Sequence, residues 1–212
     1  MERDTMISTS LSTTVLVAAT GNPGKLYEIQ RYLQDSPWSV QLKPPELEIE
    51  ETGTTFGENA RLKASQVAQA TQKWAIADDS GLMVDALGGA PGIYSARYGS
   101  DQGDVTDEDR LQRVLRELGD RPDRSAQFVC AMAVANPEGT IALEVEGVCR
   151  GTITRSPQGL DGFGYDPIFY VPETGLTFAD MDPKQKRLVS HRGRAFHLLT
   201  PQLNQLFQTL NP

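Results

Sequence analysis

The chain has 212 residues and carries 20 Lys and Arg against 28 Asp and Glu, a formal net charge of -8. That length suits one large domain with a sizeable core, and 39% hydrophobic against 23% charged residues excludes wholesale disorder. The acidic balance excludes the basic face that nucleic acid or an anionic membrane requires, but a small anionic ligand needs only a local cluster of Lys, Arg or metal.

The opening MERDTMISTSLSTT lacks the apolar core of a signal peptide and reads as a disordered polar tail over residues 1–14. No apolar run approaches the ~18 residues of a membrane span. VLVAAT (15–20) is β-branched and apolar, a buried strand, and GNPGK turns it into a helix in which Leu26, Ile29 and Leu33 recur at helical spacing. A weak strand near Ser39–Leu42 precedes the acidic loop LEIEETGTTF. GENARLKASQVAQATQK then reads as a helix capped by Thr54 or Thr55.

WAIA (74–77) is the next strand, predicted to end in the turn DDSG. After the Gly/Pro-rich GGAPGIYSARYGS, Thr106 and Asp109 form a capping box ahead of LQRVLREL. AQFVCAMAVA and IALEVEGVC pair across NPEG. If that turn is simple, Ala135 faces Thr140 and Cys130 faces Val145, so Cys130 and Cys149 are not partners and a reducing cytosol is expected. A glycine-rich loop (156–166) leads to PIFYV, and the end is helical, with Pro201 kinking the last helix or starting another. His197, within AFHLL, reads as a packed helix residue.

Five stretches, in three constellations, carry chemistry. In TGNPGK (20–25), a strand–turn–helix junction aims backbone N–H groups at one point, and Lys25 adds a full charge, a combination that binds phosphate. It is not a Walker A loop, because Ala19 and Leu26 stand where Gly and Ser/Thr would be. An ordinary tight turn accounts for this stretch alone equally well. EIEETG (48–53) and AIADDSG place carboxylates that repel unless a cation sits between them, and magnesium held by carboxylates and substrate phosphates is the usual answer. A solvated loop and an Asx turn are the plain alternatives. GLDGFGYDP (159–167) offers Phe163 and Tyr165 as flat faces for a base, and KQKRLVSHRG (184–193) adds Lys184, Lys186, Arg187, His191 and Arg192. Core aromatics and a solvated helix face would also explain these.

Five blocks in order, TGNPGKLYE, EETGTTFGENARLKA, AIADDSGLMVDALGGAPGIYSARY, GFGYDPIF and SHRGRA, resemble the inosine triphosphate pyrophosphatase family over Val15 to about Leu206. Its members hydrolyse non-standard purine nucleoside triphosphates such as ITP, dITP and XTP. The resemblance implies an α/β fold: an elongated mixed β-sheet flanked by helices, with two lobes and an active cleft between them. Residues 15–212 form that one domain, and a cytoplasmic homodimer is implied. By position, Thr20, Gly21, Asn22, Pro23, Gly24 and Lys25 hold the triphosphate. Glu50 and Asp79 hold one magnesium ion per subunit, which lets Asp78 and Asp79 both stay ionised, and Asp79 is also the proton acceptor. Ser80 touches the substrate. Phe163, Gly164, Tyr165 and Asp166 line the base, completed by Lys186, His191 and Arg192. The reaction implied is attack of water on the α-phosphorus, releasing pyrophosphate. Two rivals remain at this level, an idle nucleotide-binding module and a hydrolase of other modified triphosphates.

Overall fold

The computed structural model describes residues 14–21, 23–99 and 106–212. Asn22 and all but the last residue of the polar tail lie outside them. Strand β1 (Thr14–Ala18) feeds helix α1 (Pro23–Tyr32), then β2 (Trp38–Leu42), α2 (Phe56–Thr71) and β3 (Trp74–Val84). Helix α3 (Asp107–Leu118), the hairpin β4 (Ser125–Ala135) and β5 (Ile141–Ile153), and the short β6 (Phe169–Val171) and β7 (Leu176–Thr177) follow. Helices α4 (Pro183–Val189) and α5 (His191–Leu210) close the chain.

One seven-stranded sheet runs in the order β2-β1-β3-β4-β5-β6-β7. β1 is parallel to β2 and β3, and every later pairing is antiparallel. Crossover helices make the parallel part and hairpins the rest, as a mixed sheet requires. Strands β3, β4 and β5 have 11, 11 and 13 residues, roughly 35–40 Å at about 3.3 Å per residue, longer than one small core. Each end therefore builds its own. At one end α1 and α5 cover Leu16, Ile76 and Met132 on one face of the sheet, and α2 covers Val17, Ala75 and Ala133 on the other. At the far end α3 packs Leu111 and Val114 near Leu82, Phe128, Phe169 and Phe178. This is the elongated, helix-flanked mixed sheet with two lobes that the resemblance implied.

Three local expectations change. β3 does not stop at Ala77 but continues through DDSG to Val84, so Asp78 and Asp79 stand in mid-strand and are buried. The hairpin register is shifted by one at Ala135, which pairs with Ile141, and by two beyond a bulge at Val134/Ala135, where Cys130 faces Gly147. Both cysteines are still free. Helix α5 runs through Pro201 without a new start, and His197 lies on its exposed face. The cap at Thr55 and the capping box at Thr106 and Asp109 form as the sequence requires. Among the described residues, no helix is long and apolar enough to cross a membrane.

The corner between α4 and α5 presses on the sheet. A Cβ on Gly147 would come within 2.1 Å of the His191 carbonyl, and one on Gly193 within 1.8 Å of the Arg187 carbonyl. Only glycine at both positions lets the start of α5 sit directly against β5. That contact delivers His191 and Arg192 to the centre of the molecule.

Candidate active site

Successive residues of a strand point to opposite faces. Asp78 therefore shares a face with α1 and α5, whereas Asp79 points toward α2. Each carboxylate has its own hydrogen-bonded protein partners. Asp78 Oδ2 meets the Lys25 ammonium at 3.2 Å and Arg192 Nη2 at 2.9 Å. Burial alone would raise its pKa, but the two cations outweigh burial and hold the carboxyl well below the usual range. Arg192 also donates to Glu28 at 2.7 Å and to the Ser80 hydroxyl at 3.3 Å. Its guanidinium, expected to read the base, is thus already engaged by α1 and β3.

On the other face, Lys63 Nζ donates to Asp79 Oδ1 at 2.9 Å and to Glu51 Oε1 at 3.2 Å. Asn59, one helical turn before Lys63, donates to Asp79 Oδ2 at 3.2 Å and accepts from Gly53 N–H at 2.8 Å. Asn59 and Lys63 face the sheet because Thr55 fixes where α2 begins, accepting from Glu58 N–H. Burial pushes the Asp79 carboxyl up despite Lys63, while the surrounding carboxylates keep Lys63 protonated against its own burial.

A cleft of about 500 Å³ is lined by Thr20, Gly21, Lys25, Lys43, Glu51, Lys63 and Asp78. Three ammonium groups and the carboxylates of Glu48, Glu51 and Asp78 line one cavity, so lysines that can meet phosphate stand beside oxygens that can meet a divalent ion. Lys63 and Lys43 were not among the residues singled out in the sequence. Lys63 carried a signal: it falls at helical spacing on the stripe Phe56, Ala60, Ala64 and Val67, where a lysine must find an anion. Lys43 carried none, since only the fold brings it beside the turn after β1. Its ammonium donates to the Leu47 carbonyl at 2.5 Å and so ties the acidic loop to the cleft wall.

Of the remaining assigned residues, Thr20, Gly21 and Lys25 line this cleft, while Pro23 and Gly24 are exposed on the first turn of α1. Glu50 is exposed, and its backbone bonds Gln66; the neighbouring Glu51 is the carboxylate that shares Lys63 with Asp79. At the far lobe Phe163 is 56% exposed. Tyr165 is buried and gives its hydroxyl to the Ser95 carbonyl at 2.8 Å, so it offers no open face. Lys186 binds buried Asp166 and hangs 5.2 Å over the Phe163 ring and 5.4 Å from Phe178. Lys184 is exposed. His191 stacks on Phe128 at 4.6 Å, and its Nδ1 is buried with no hydrogen-bond partner. Burial, then the charges of Arg192 and Lys186, depress its pKa, so its imidazole is neutral at physiological pH.

Contacts run unbroken from one lobe to the other: Phe163 to Lys186, Lys186 to Phe178, Phe178 to His191, then through Arg192 and Asp78 to Lys25. The exposed Phe163 ring at one lobe and the lysine- and carboxylate-lined cleft at the other are therefore linked through buried side chains. Among the described residues, no three His, Cys, Asp or Glu side chains gather as a metal cage.

Comparison with known proteins shows the family. The Ham1 family model matches residues 16–202. A dITP/XTP pyrophosphatase of Nostoc sp. is 60% identical over 90% of this chain and 95% of its own. One from Synechocystis sp. is 56% identical over 88% and 94%. The solved structure of a HAM1 protein from Coxiella burnetii is 43% identical, covering 91% of this chain and 100% of that one, with a TM-score of 0.85. With a family match over almost the whole described chain and relatives of this similarity, the protein belongs to the Ham1 family.

Proposed function

We propose that the protein hydrolyses non-standard purine nucleoside triphosphates, ITP, dITP and XTP, to the monophosphate and pyrophosphate, cleansing the nucleotide pool. The observation that carries this reading is the cleft lined by Lys25, Lys43 and Lys63 beside Glu51 and Asp78, linked through buried side chains to the exposed Phe163 ring. The names of the relatives support the substrate class. In this reading the triphosphate lies against the turn after β1 and Lys25, with Lys63 and Lys43 around it. The base stacks on Phe163, with Lys186 and the start of α5 at His191 on its side. Water attacks the α-phosphorus, Asp79 takes its proton, and the α–β bridging oxygen leaves with pyrophosphate. The lysines are needed because charge spreads over phosphate oxygens as the bond breaks.

The donor set suits a hard divalent ion. Asp79 and Glu51 already face one cationic group together, with oxygen ligands only. Magnesium, one ion per subunit, would be held by Asp79 with Glu50 or Glu51 and would neutralise phosphate charge. A cytoplasmic homodimer completes the proposal.

The test is to incubate the protein with magnesium and either ITP or ATP, measuring pyrophosphate separately from phosphate. Pyrophosphate from ITP far exceeding that from ATP is the expected result. Phosphate as the product, or no turnover, would overturn the reading. Within it, Lys25→Ala should weaken ITP and XTP hydrolysis by similar factors, since its charge acts on the triphosphate whatever the base. A selective loss for one base, read as kcat/KM, would move Lys25 to the purine.

A further inference from the structure

The turn that presents Phe163 is closed by carboxylates from two places. Within the loop, Asp166 Oδ2 accepts from Phe163 N–H at 2.9 Å, and Asp166 N–H returns to the Phe163 carbonyl at 3.2 Å. The next N–H, that of Gly164, is taken by Asp107 Oδ2 at 2.6 Å. Asp107 stands at the first residue of α3, far away in sequence, and its other oxygen pairs with Arg110, one turn on. Arg110 in turn donates to the Ala96 carbonyl at 2.8 Å. A charge-assisted bond from a helix start that is itself capped at Thr106 is a rigid anchor for a turn whose ring is otherwise exposed.

We infer that Asp107 is a positioning residue for base recognition, fixing the Phe163 platform through the Gly164 amide. It touches no substrate and acts only through the turn. This inference rests on the proposal that Phe163 stacks the base. Without the anchor, Asp166 alone holds the turn and part of its ordering falls to the nucleotide at the moment of binding, which weakens binding of the base and leaves binding of the phosphates alone.

The experiment compares KM and kcat for ITP with the inhibition constant of pyrophosphate, a ligand with no base, on the full chain with magnesium. Asp107→Ala should raise KM for ITP roughly tenfold, the scale of one lost charge-assisted bond, while kcat and the pyrophosphate constant hold. Asp107→Asn keeps an acceptor oxygen for Gly164 and should restore most of the loss. In a Phe163→Ala background, Asp107→Ala should add nothing. A raised KM for Phe163→Ala beside an unchanged one for Asp107→Ala overturns the anchor alone, as does an Asp107→Ala effect that persists without the ring. A Phe163→Ala variant with wild-type KM removes the stacking platform and the anchor's purpose with it. Should Asp107→Ala fold poorly, the Asn variant decides: no rescue there, with both acceptor and fold intact, also overturns the inference.

Discussion

Asp79→Asn is expected to lower turnover of ITP by roughly 10²-fold or more, the scale of losing a general base and a metal ligand together. The substitution keeps the shape of the side chain and removes its basic site. Burial pushes the Asp79 carboxyl above its ordinary range. The fold should persist. A carboxyl whose pKa is raised by folding carries a stability penalty that grows as pH rises past its unfolded value, so Asn at 79 relieves a cost near neutral pH. Against that, Lys63 keeps Glu51 and an amide oxygen as partners. Melting within about 4 °C of wild type, on the order of 1 kcal/mol for a chain of this size, would separate lost chemistry from lost fold. Near wild-type turnover with magnesium present would remove Asp79 from the reaction. EDTA should silence the wild type, and activity that persists without any divalent ion would remove the metal.

What the sequence could and could not convey follows from the range of the forces involved. Local signals were legible: the Thr55 cap, the capping box at Thr106, the strand–turn–helix at TGNPGK and the β4–β5 hairpin all depend on neighbours a few residues away. DDSG misled because three consecutive polar residues read as surface. Asp78 and Asp79 are instead buried against cations on α1, α2 and α5, which only tertiary structure supplies. The same reasoning dissolves the puzzle of two adjacent like charges. A strand sends Asp78 and Asp79 to opposite faces, so each carboxylate has its own set of protein partners. The hairpin register slipped because a bulge leaves no mark in an alternating apolar run. Tyr165 looked like a second stacking face, but its hydroxyl finds the Ser95 carbonyl, 70 residues away in sequence. Glu50 and Glu51 are indistinguishable in sequence; the pleat of their loop and the reach of Lys63 separate them.

Asp78→Asn should be the most destabilising single change in the site. It leaves the Arg192 guanidinium, whose side chain is only 8% exposed, and the Lys25 ammonium without their shared anion. Breaking a buried pair on one side costs about 3–5 kcal/mol, because an uncompensated charge stays behind. Glu28 still pairs with Arg192, which favours the lower end of that range. The loss has a pH signature of definite sign. Lys25 and Arg192 hold the Asp78 carboxyl below its unfolded value despite burial. The group therefore contributes stability that is fully present above the unfolded pKa, about 3.9, and is lost as pH falls toward the folded one. Wild type should weaken in acid below about pH 4 more steeply than the variant, whose contribution is missing at every pH. Urea unfolding of both proteins at about pH 7 and about pH 3 measures this directly. The gap between them should be large near neutrality and shrink in acid. A gap of equal size at both pH values would mean that the Asp78 carboxylate is not the anion that holds Arg192 and Lys25 together.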